Sequence, residues 1–259
     1  MTGNTTVTTL LVSAPTATVP LSSPGRLQIP SHQYKGLDPE WRALWNAHGG
    51  SMVRAEEVTL DEYRADPAKH SFTYPTYRGP DVLYVQDHQI PVSRPAGEIT
   101  KLGGWVLGGL KTEAARCRHI CNKSAIKVVD VDYRIGPEFK FPTAIYDCWN
   151  AVKWVTANAE SLNINPESVS FGGLSAGGQM SAVLEHFARD EGVDIKLHLM
   201  IVPATDMRYC SPKFKELTPE NCPYESAHLF EDLPWGSLGR EQWFRSIGLE
   251  KTLMSNSEP

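Results

Sequence analysis

The feature that most constrains this chain is a pentapeptide, Gly173-Leu174-Ser175-Ala176-Gly177. It lies between a short β-rich run, Val169–Gly172, and a stretch in which Met180, Val183, Leu184 and Phe187 recur at helical spacing. A G-x-S-x-G pattern is weak evidence alone, and a strand before it with a helix after it is the context that gives it meaning. A serine there rides on a tight strand-to-helix turn, with small neighbours that let the backbone take strained angles. Its hydroxyl projects above the sheet as a nucleophile. The N–H of Ala176, at the helix start, can then stabilise an oxyanion. The competing reading is a Gly-rich helix start with a merely structural serine, and the flanking elements favour the nucleophile.

The flanking sequence predicts the architecture. Leu110, Ala114, Cys117 and Cys121 mark one helix, and Ile145, Cys148, Trp149 and Val152 a second. Ile126–Tyr133 and Leu197–Pro203 read as strands. Strand and helix alternate, which predicts an α/β fold with a mostly parallel sheet and helices on both faces. Upstream, Asp38-Pro39-Glu40 reads as an N-cap, N1 and first-turn acid of a helix running to His48, where Gly49-Gly50 stop it. Thr59-Leu60-Asp61-Glu62 is a capping box. Val82–Gln86 reads as a strand, Pro91–Gly97 as a turn, and Glu98–Thr100 as the start of another strand.

Charge and cysteine content narrow the function classes. Lys plus Arg number 25 against 30 Asp plus Glu, a net charge of −5. With no basic face, a nucleic-acid partner is not expected. The longest apolar run, Leu197–Thr205, is strand-sized, so no membrane span is expected. The five cysteines, Cys117, Cys121, Cys148, Cys210 and Cys222, contain no C-x-x-C pair and suit reduced thiols in a cytoplasmic protein. Cys117, His119 and Cys121 could be taken for metal ligands. However, the two cysteines fall on the apolar face of a helix and His119 points elsewhere, so no metal is expected. Residues 1–25 carry no charge, and ten of them are Ser or Thr. Residues 1–30 therefore read as a disordered Ser/Thr-rich tail, with a secretory or organellar targeting segment as the weaker alternative.

Several motifs in register carry a family resemblance. Gly103-Gly104-Trp105-Val106-Leu107-Gly108-Gly109, Asp132-Tyr133-Arg134-Ile135-Gly136-Pro137-Glu138, Phe141-Pro142, Asp147 and Gly173–Gly178 occur in the order seen in the hormone-sensitive-lipase branch of the α/β-hydrolases, the carboxylesterases and arylacetamide-deacetylase-like enzymes. The chain resembles that family best over residues 80–210. The resemblance implies an α/β-hydrolase core over 79–210, an N-terminal helical cap part over 31–78, and a cap segment remnant over 211–259. It implies Ser175 as acylating nucleophile, Gly103 and Gly104 as oxyanion-hole donors completed by Ala176, and Tyr133, Arg134, Glu138 and Asp147 as structural supports. Neither metal nor organic cofactor is implied.

The chain departs from that family at two places. The family's H-G-G-G reads Lys101-Leu102-Gly103-Gly104, and Glu98–Thr100 runs into Lys101 where a strand, a loop and a second strand are expected, so a piece of the sheet is expected to be missing. The family's acid and base lie beyond its cap segment, and this chain stops at Pro259 still inside that segment, which implies a truncated, incomplete core. Asp206, following a strand, and His228 supply a legal Ser–Asp–His order and form a substitute triad of low standing. His186 and His198 read as structural.

Three functions follow as expectations: a serine hydrolase cleaving small-molecule carboxylic esters, a catalytically impaired binding module lacking the triad acid and histidine, or an acyl-ester tailoring enzyme acting on a small natural product. The oligomeric state is left open. An unfinished sheet edge would favour aggregation, so poor soluble expression is expected.

Overall fold

The computed structural model describes residues 2–10, 29, 34, 36–50, 52–70, 79–95, 105–107, 109–211, 214–234 and 236–249. The elements in chain order are β1 (Thr2–Leu10), α1 (Pro39–His48), α2 (Leu60–Ala65), β2 (Val85–Pro95), α3 (Leu110–Ser124), β3 (Val128–Asp132), α4 (Thr143–Ala157), α5 (Ala159–Leu162), β4 (Ser170–Leu174), α6 (Ala176–Glu191), β5 (Leu197–Ile201), α7 (Glu225–Phe230) and α8 (Leu238–Gly248). The chain divides into two compact units. One comprises Met1–Thr16, Tyr77–Asp206 and Ile247–Asn256; the other comprises Ala17–Thr76, Met207–Ser246 and Ser257–Pro259.

In the first unit, the strands form two sheets, β2-β1-β3 and β4-β5. β4 and β5 pair in parallel, from Ser170↔Leu197 to Leu174↔Ile201, as the β4–α6–β5 alternation requires. β1 is antiparallel to both β2 and β3, so β2 and β3 run parallel to each other on either side of it. Among the described residues no strand bridges β3 to β4.

Two expectations are corrected here. The expected tail contributes a strand over Thr2–Leu10, because an uncharged segment rich in β-branched Thr and Val fits between two strand edges that would otherwise lack backbone partners. The expected turn at Pro91–Gly97 is strand as far as Pro95. β2 is an edge strand, where a proline's missing N–H costs no ladder bond, and the register shifts between Thr2 and Asn4 opposite this stretch.

The helices of this unit meet over an apolar core. Ala176, Met180, Leu184 and Ala188 recur every four residues along α6 and are buried against Ile145 and Trp149 of α4. Phe187 closes the seam edge-on to Trp149, with ring centroids 6.0 Å apart. Each large side chain buried in this way contributes about 1.5–3 kcal/mol.

The second unit is helical and draws on both ends of its sequence. Asp38 caps α1 by accepting from the Trp41 N–H at 2.9 Å, and Thr59 and Glu62 form the expected capping box on α2. Trp41 and Trp45 stack at 5.7 Å, and Trp45 is buried with Ile29 and Met52. Tyr63 of α2 packs on Trp243 of α8, and the Ser237 hydroxyl donates to Glu56. Segments 31–76 and 211–246 thus share one unit, and residues 77 and 78 fall in the other. Residues 247–249 belong with the core unit, because the Gly248 carbonyl accepts from the Phe141 N–H at 3.0 Å.

Candidate active site

β4 ends at Leu174 and α6 begins at Ala176, so Ser175 makes the whole turn between them. It does so at φ 52° and ψ −112°, a left-handed conformation that costs a non-glycine residue on the order of 1–3 kcal/mol. Backbone bonds hold it there. Its N–H donates to the Ile201 carbonyl at 2.9 Å, and its carbonyl accepts from Gln179 at 3.0 Å and Ala204 at 3.4 Å. The adjoining glycines allow this close approach. A Cβ on Gly173 would run into the Gly177 backbone, and one on Gly178 would sit 3.1 Å from the Gly173 oxygen and from Pro203.

The turn leaves the Ser175 side chain exposed at the carboxyl end of the β4-β5 sheet. Its hydroxyl has no hydrogen-bond partner among the described residues. Ala176, buried at 2% exposure, opens α6, and its N–H is one of those a helix start leaves without an intrahelical acceptor. An anion forming beside Ser175 would meet both that N–H and the positive end of the helix dipole.

The remaining candidates have varied settings. Gly103 and Gly104 lie outside the described residues, as do Glu98–Thr100 and Lys101-Leu102, where the missing piece of sheet is expected. Asp206 is half-buried just beyond β5 in the core unit. His228 lies on α7 in the other unit, where its Nε2 is 2.7 Å from the Cys222 carbonyl. His186 is exposed on α6, and His198 on β5 packs against Phe171 with centroids 5.4 Å apart. On α3, Cys121 is buried while His119 is exposed, so that trio does not converge.

Of the residues expected to act as supports, Arg134 and Asp147 are bonded to each other. Asp147, with no exposed surface, accepts the Arg134 backbone N–H at 3.0 Å and Nε at 2.9 Å on Oδ2, and Nη2 at 2.7 Å on Oδ1. The guanidinium also lies over the Phe139 ring at 5.0 Å. This pair fastens the turn after β3 to α4. Tyr133 packs into the core between the helices, and burial pushes its hydroxyl pKa up. Glu138 is exposed on the same turn.

Sequence reading missed one contact at this site. The Trp105 indole N–H donates to the Gln179 side-chain oxygen at 2.8 Å, across 74 residues. The visible signals were an amide one helical turn after the serine and an aromatic residue directly after Gly103-Gly104, but their meeting depends on the fold.

Residues 102–245 match a sequence profile described as the alpha/beta hydrolase fold. An AB hydrolase superfamily protein of Schizosaccharomyces pombe is 36% identical over 146 residues, covering 55% of this chain and 40% of that protein. An arylesterase of Saccharolobus solfataricus is 42% identical over 101 residues, covering 39% of this chain and 33% of that one. The chain thus spans between a third and two fifths of the length of these relatives. Among solved structures, an ester hydrolase from the Lake Arreo metagenome, complexed with a bipyridine phosphonate derivative, aligns with a TM-score of 0.65 at 27% identity, covering 85% of this chain and 73% of that one. The match takes in the Ser175 elbow, the Arg134–Asp147 support and the β4–α6–β5 unit together, and this chain belongs to the α/β-hydrolase fold family.

Proposed function

We propose that this chain carries the nucleophile of a carboxylic ester hydrolase that works through an acyl-enzyme on Ser175. The carrying observation is the exposed serine at φ 52° on a strand-to-helix turn, beside the start of α6. The printed names of the relatives, arylesterase and ester hydrolase among them, support the same reading. In the first step the Ser175 oxygen bonds to the ester carbonyl carbon, and the Ala176 N–H faces the resulting oxyanion. The carbon–alkoxy bond then breaks, and the serine proton leaves with the alcohol. Water attacks the acyl-serine in the second step, releasing the acid and restoring the hydroxyl. Asp206 and His228 remain low-standing candidates for acid and base by their order in the sequence alone. Without a base, an oxyanion site and binding alone sustain about 10³–10⁴-fold catalysis over water. The substrate class is a small ester, and five free thiols suit a cytoplasmic setting.

Hydrolysis of p-nitrophenyl acetate by the wild type and by Ser175→Ala tests the reading. Activity present in the first and absent in the second supports it, and equal rates sink it. A fluorophosphonate adduct on the Ser175 peptide is the matching chemical result. His228→Ala tests the base: an unchanged rate removes that residue from the scheme. A second reading, the core as a binding module, draws on the Ser175 hydroxyl having no partner among the described residues. It predicts neither turnover nor labelling.

A further inference from the structure

We infer that the core unit holds a second small-molecule site, a cavity between β2 and the ends of α4 and α5 that takes a neutral, single-ring phenol. Gln86, His88 and Ile90 alternate along β2 and so share one face of the strand. At Ile90 that face is closed. The side chain is buried with Ala151 of α4, and Trp154 packs against the pair. Towards the start of the strand the same face is left unfilled. A cavity of about 190 Å³ remains there, lined by Tyr84, Gln86 and His88 from the strand side and by Trp154, Ser161 and Leu162 from the helices. None of these residues belongs to the Ser175 turn, and the inference is independent of the ester-hydrolase reading.

Size, shape and polarity of the lining select the ligand. A cavity of about 150 Å³ is enough for benzene, so this one accommodates a single aromatic ring with a small substituent. Trp154 gives it an aromatic wall, with its ring 5.1 Å from that of His88, and a flat ring gains by stacking there. The His88 Nε2 is buried and has no hydrogen-bond partner among the described residues. Leaving a buried polar atom unpaired is costly, and nearly all such atoms in folded proteins are bonded. A hydroxyl on the ligand satisfies Nε2 whichever ring nitrogen carries the proton, because it both donates and accepts. The lining includes no carboxylate, ammonium or guanidinium, so a charged ligand would enter without a counter-ion. A phenol meets all of these conditions in one small molecule.

The test titrates phenol into the full chain labelled with fluorotryptophan, followed by fluorine NMR. Trp154 is one of seven tryptophans, and its signal is assigned by its loss in Trp154→Phe. Phenol should move that signal along a saturable curve with a Kd of about 1 mM, in the range for so small a ligand. His88→Leu keeps the bulk and removes Nε2. It should weaken phenol about tenfold while toluene, which lacks the hydroxyl, changes less than about twofold. Gln86→Phe fills the cavity from an exposed strand position and should abolish the shift without lowering the melting temperature. Cyclohexanol, which has the hydroxyl without the flat ring, should bind more weakly than phenol; equal binding overturns the assignment to an aromatic ligand. A Trp154 signal unmoved at about 20 mM phenol means that the cavity takes water alone and overturns the inference. A phenol affinity unchanged in both His88→Leu and Gln86→Phe also overturns it, because binding then lies elsewhere. If His88→Leu does not fold, Gln86→Phe and the cyclohexanol comparison decide by the same criteria. Ser175→Ala should bind phenol as the wild type does, so this site and the hydrolase reading stand or fall separately.

Discussion

Asp147 has no exposed surface and makes three hydrogen bonds to Arg134, whose side chain is itself 3% exposed. A buried ion pair of this kind gains little over an apolar pair of the same shape, but removing one partner strands the other charge. Asp147→Ala should therefore lose about 3–5 kcal/mol, read as a lower urea midpoint. Asp130 on β3 behaves differently. Burial, with Glu113 on α3 and Asp132 on its own strand beside it, pushes its pKa up to about 7. The folded state then holds a proton that the unfolded chain releases in the ordinary carboxylate range. Stability from this group is present at acid pH and is lost as pH rises to about 7. Urea unfolding from pH 5 to 8 should show that decline, and Asp130→Asn should flatten it, gaining on the order of 2 kcal/mol at pH 8. The strand pattern of Ile126–Tyr133 was legible from its β-branched residues. The carboxyl cluster was not, because Glu113 reaches it from a helix 17 positions earlier.

The strand-to-helix elbow is where motif and geometry separate. The pattern shows two glycines flanking Ser175, yet they have unequal work. A Cβ on Gly173 meets the Gly177 backbone, which has no side chain to swing aside, whereas a Cβ on Gly177 meets nothing within 4 Å. Gly173→Ala should destabilise by about 2–4 kcal/mol and abolish phosphonate labelling of Ser175. Gly177→Ala should leave the fold intact and stabilise α6 by up to about 1 kcal/mol, since alanine orders a helix at lower entropic cost. Thermal melts of the two variants check the contrast. Equal melting temperatures would remove the steric account. The helix ends follow local rules: Asp38 and Thr59 cap α1 and α2 as their spacing predicts.

On the scale of the molecule, the division of the strands into two sheets leaves edges open. Among the described residues the edges of β3 and β4 away from β1 and β5 have no strand partner. Leu197, Leu199, Met200 and Val202 on and after β5 are 60%, 45%, 44% and 73% exposed, an apolar patch on an edge strand. Such an edge promotes association. Lysine at both positions in a Leu197→Lys, Val202→Lys variant should raise soluble yield and reduce concentration-dependent light scattering, with no loss of melting temperature. Deleting Thr2–Leu10 should act oppositely, because β2 and β3 each lose their ladder to β1.

Local rules and periodicity were enough to establish the α/β class, the capped helices, the α4 and α6 faces and the candidate serine. Each of these depends on residues within a turn or two of one another, where capping, hydrophobic spacing and glycine sterics act directly. Contacts distant in sequence were left to the tertiary structure. It recruits an uncharged N-terminal segment into a sheet because strand edges need backbone partners, whatever side chains fill the gap. It also joins Trp105 to Gln179 across 74 residues, because two half-buried polar groups brought together by packing gain by satisfying each other.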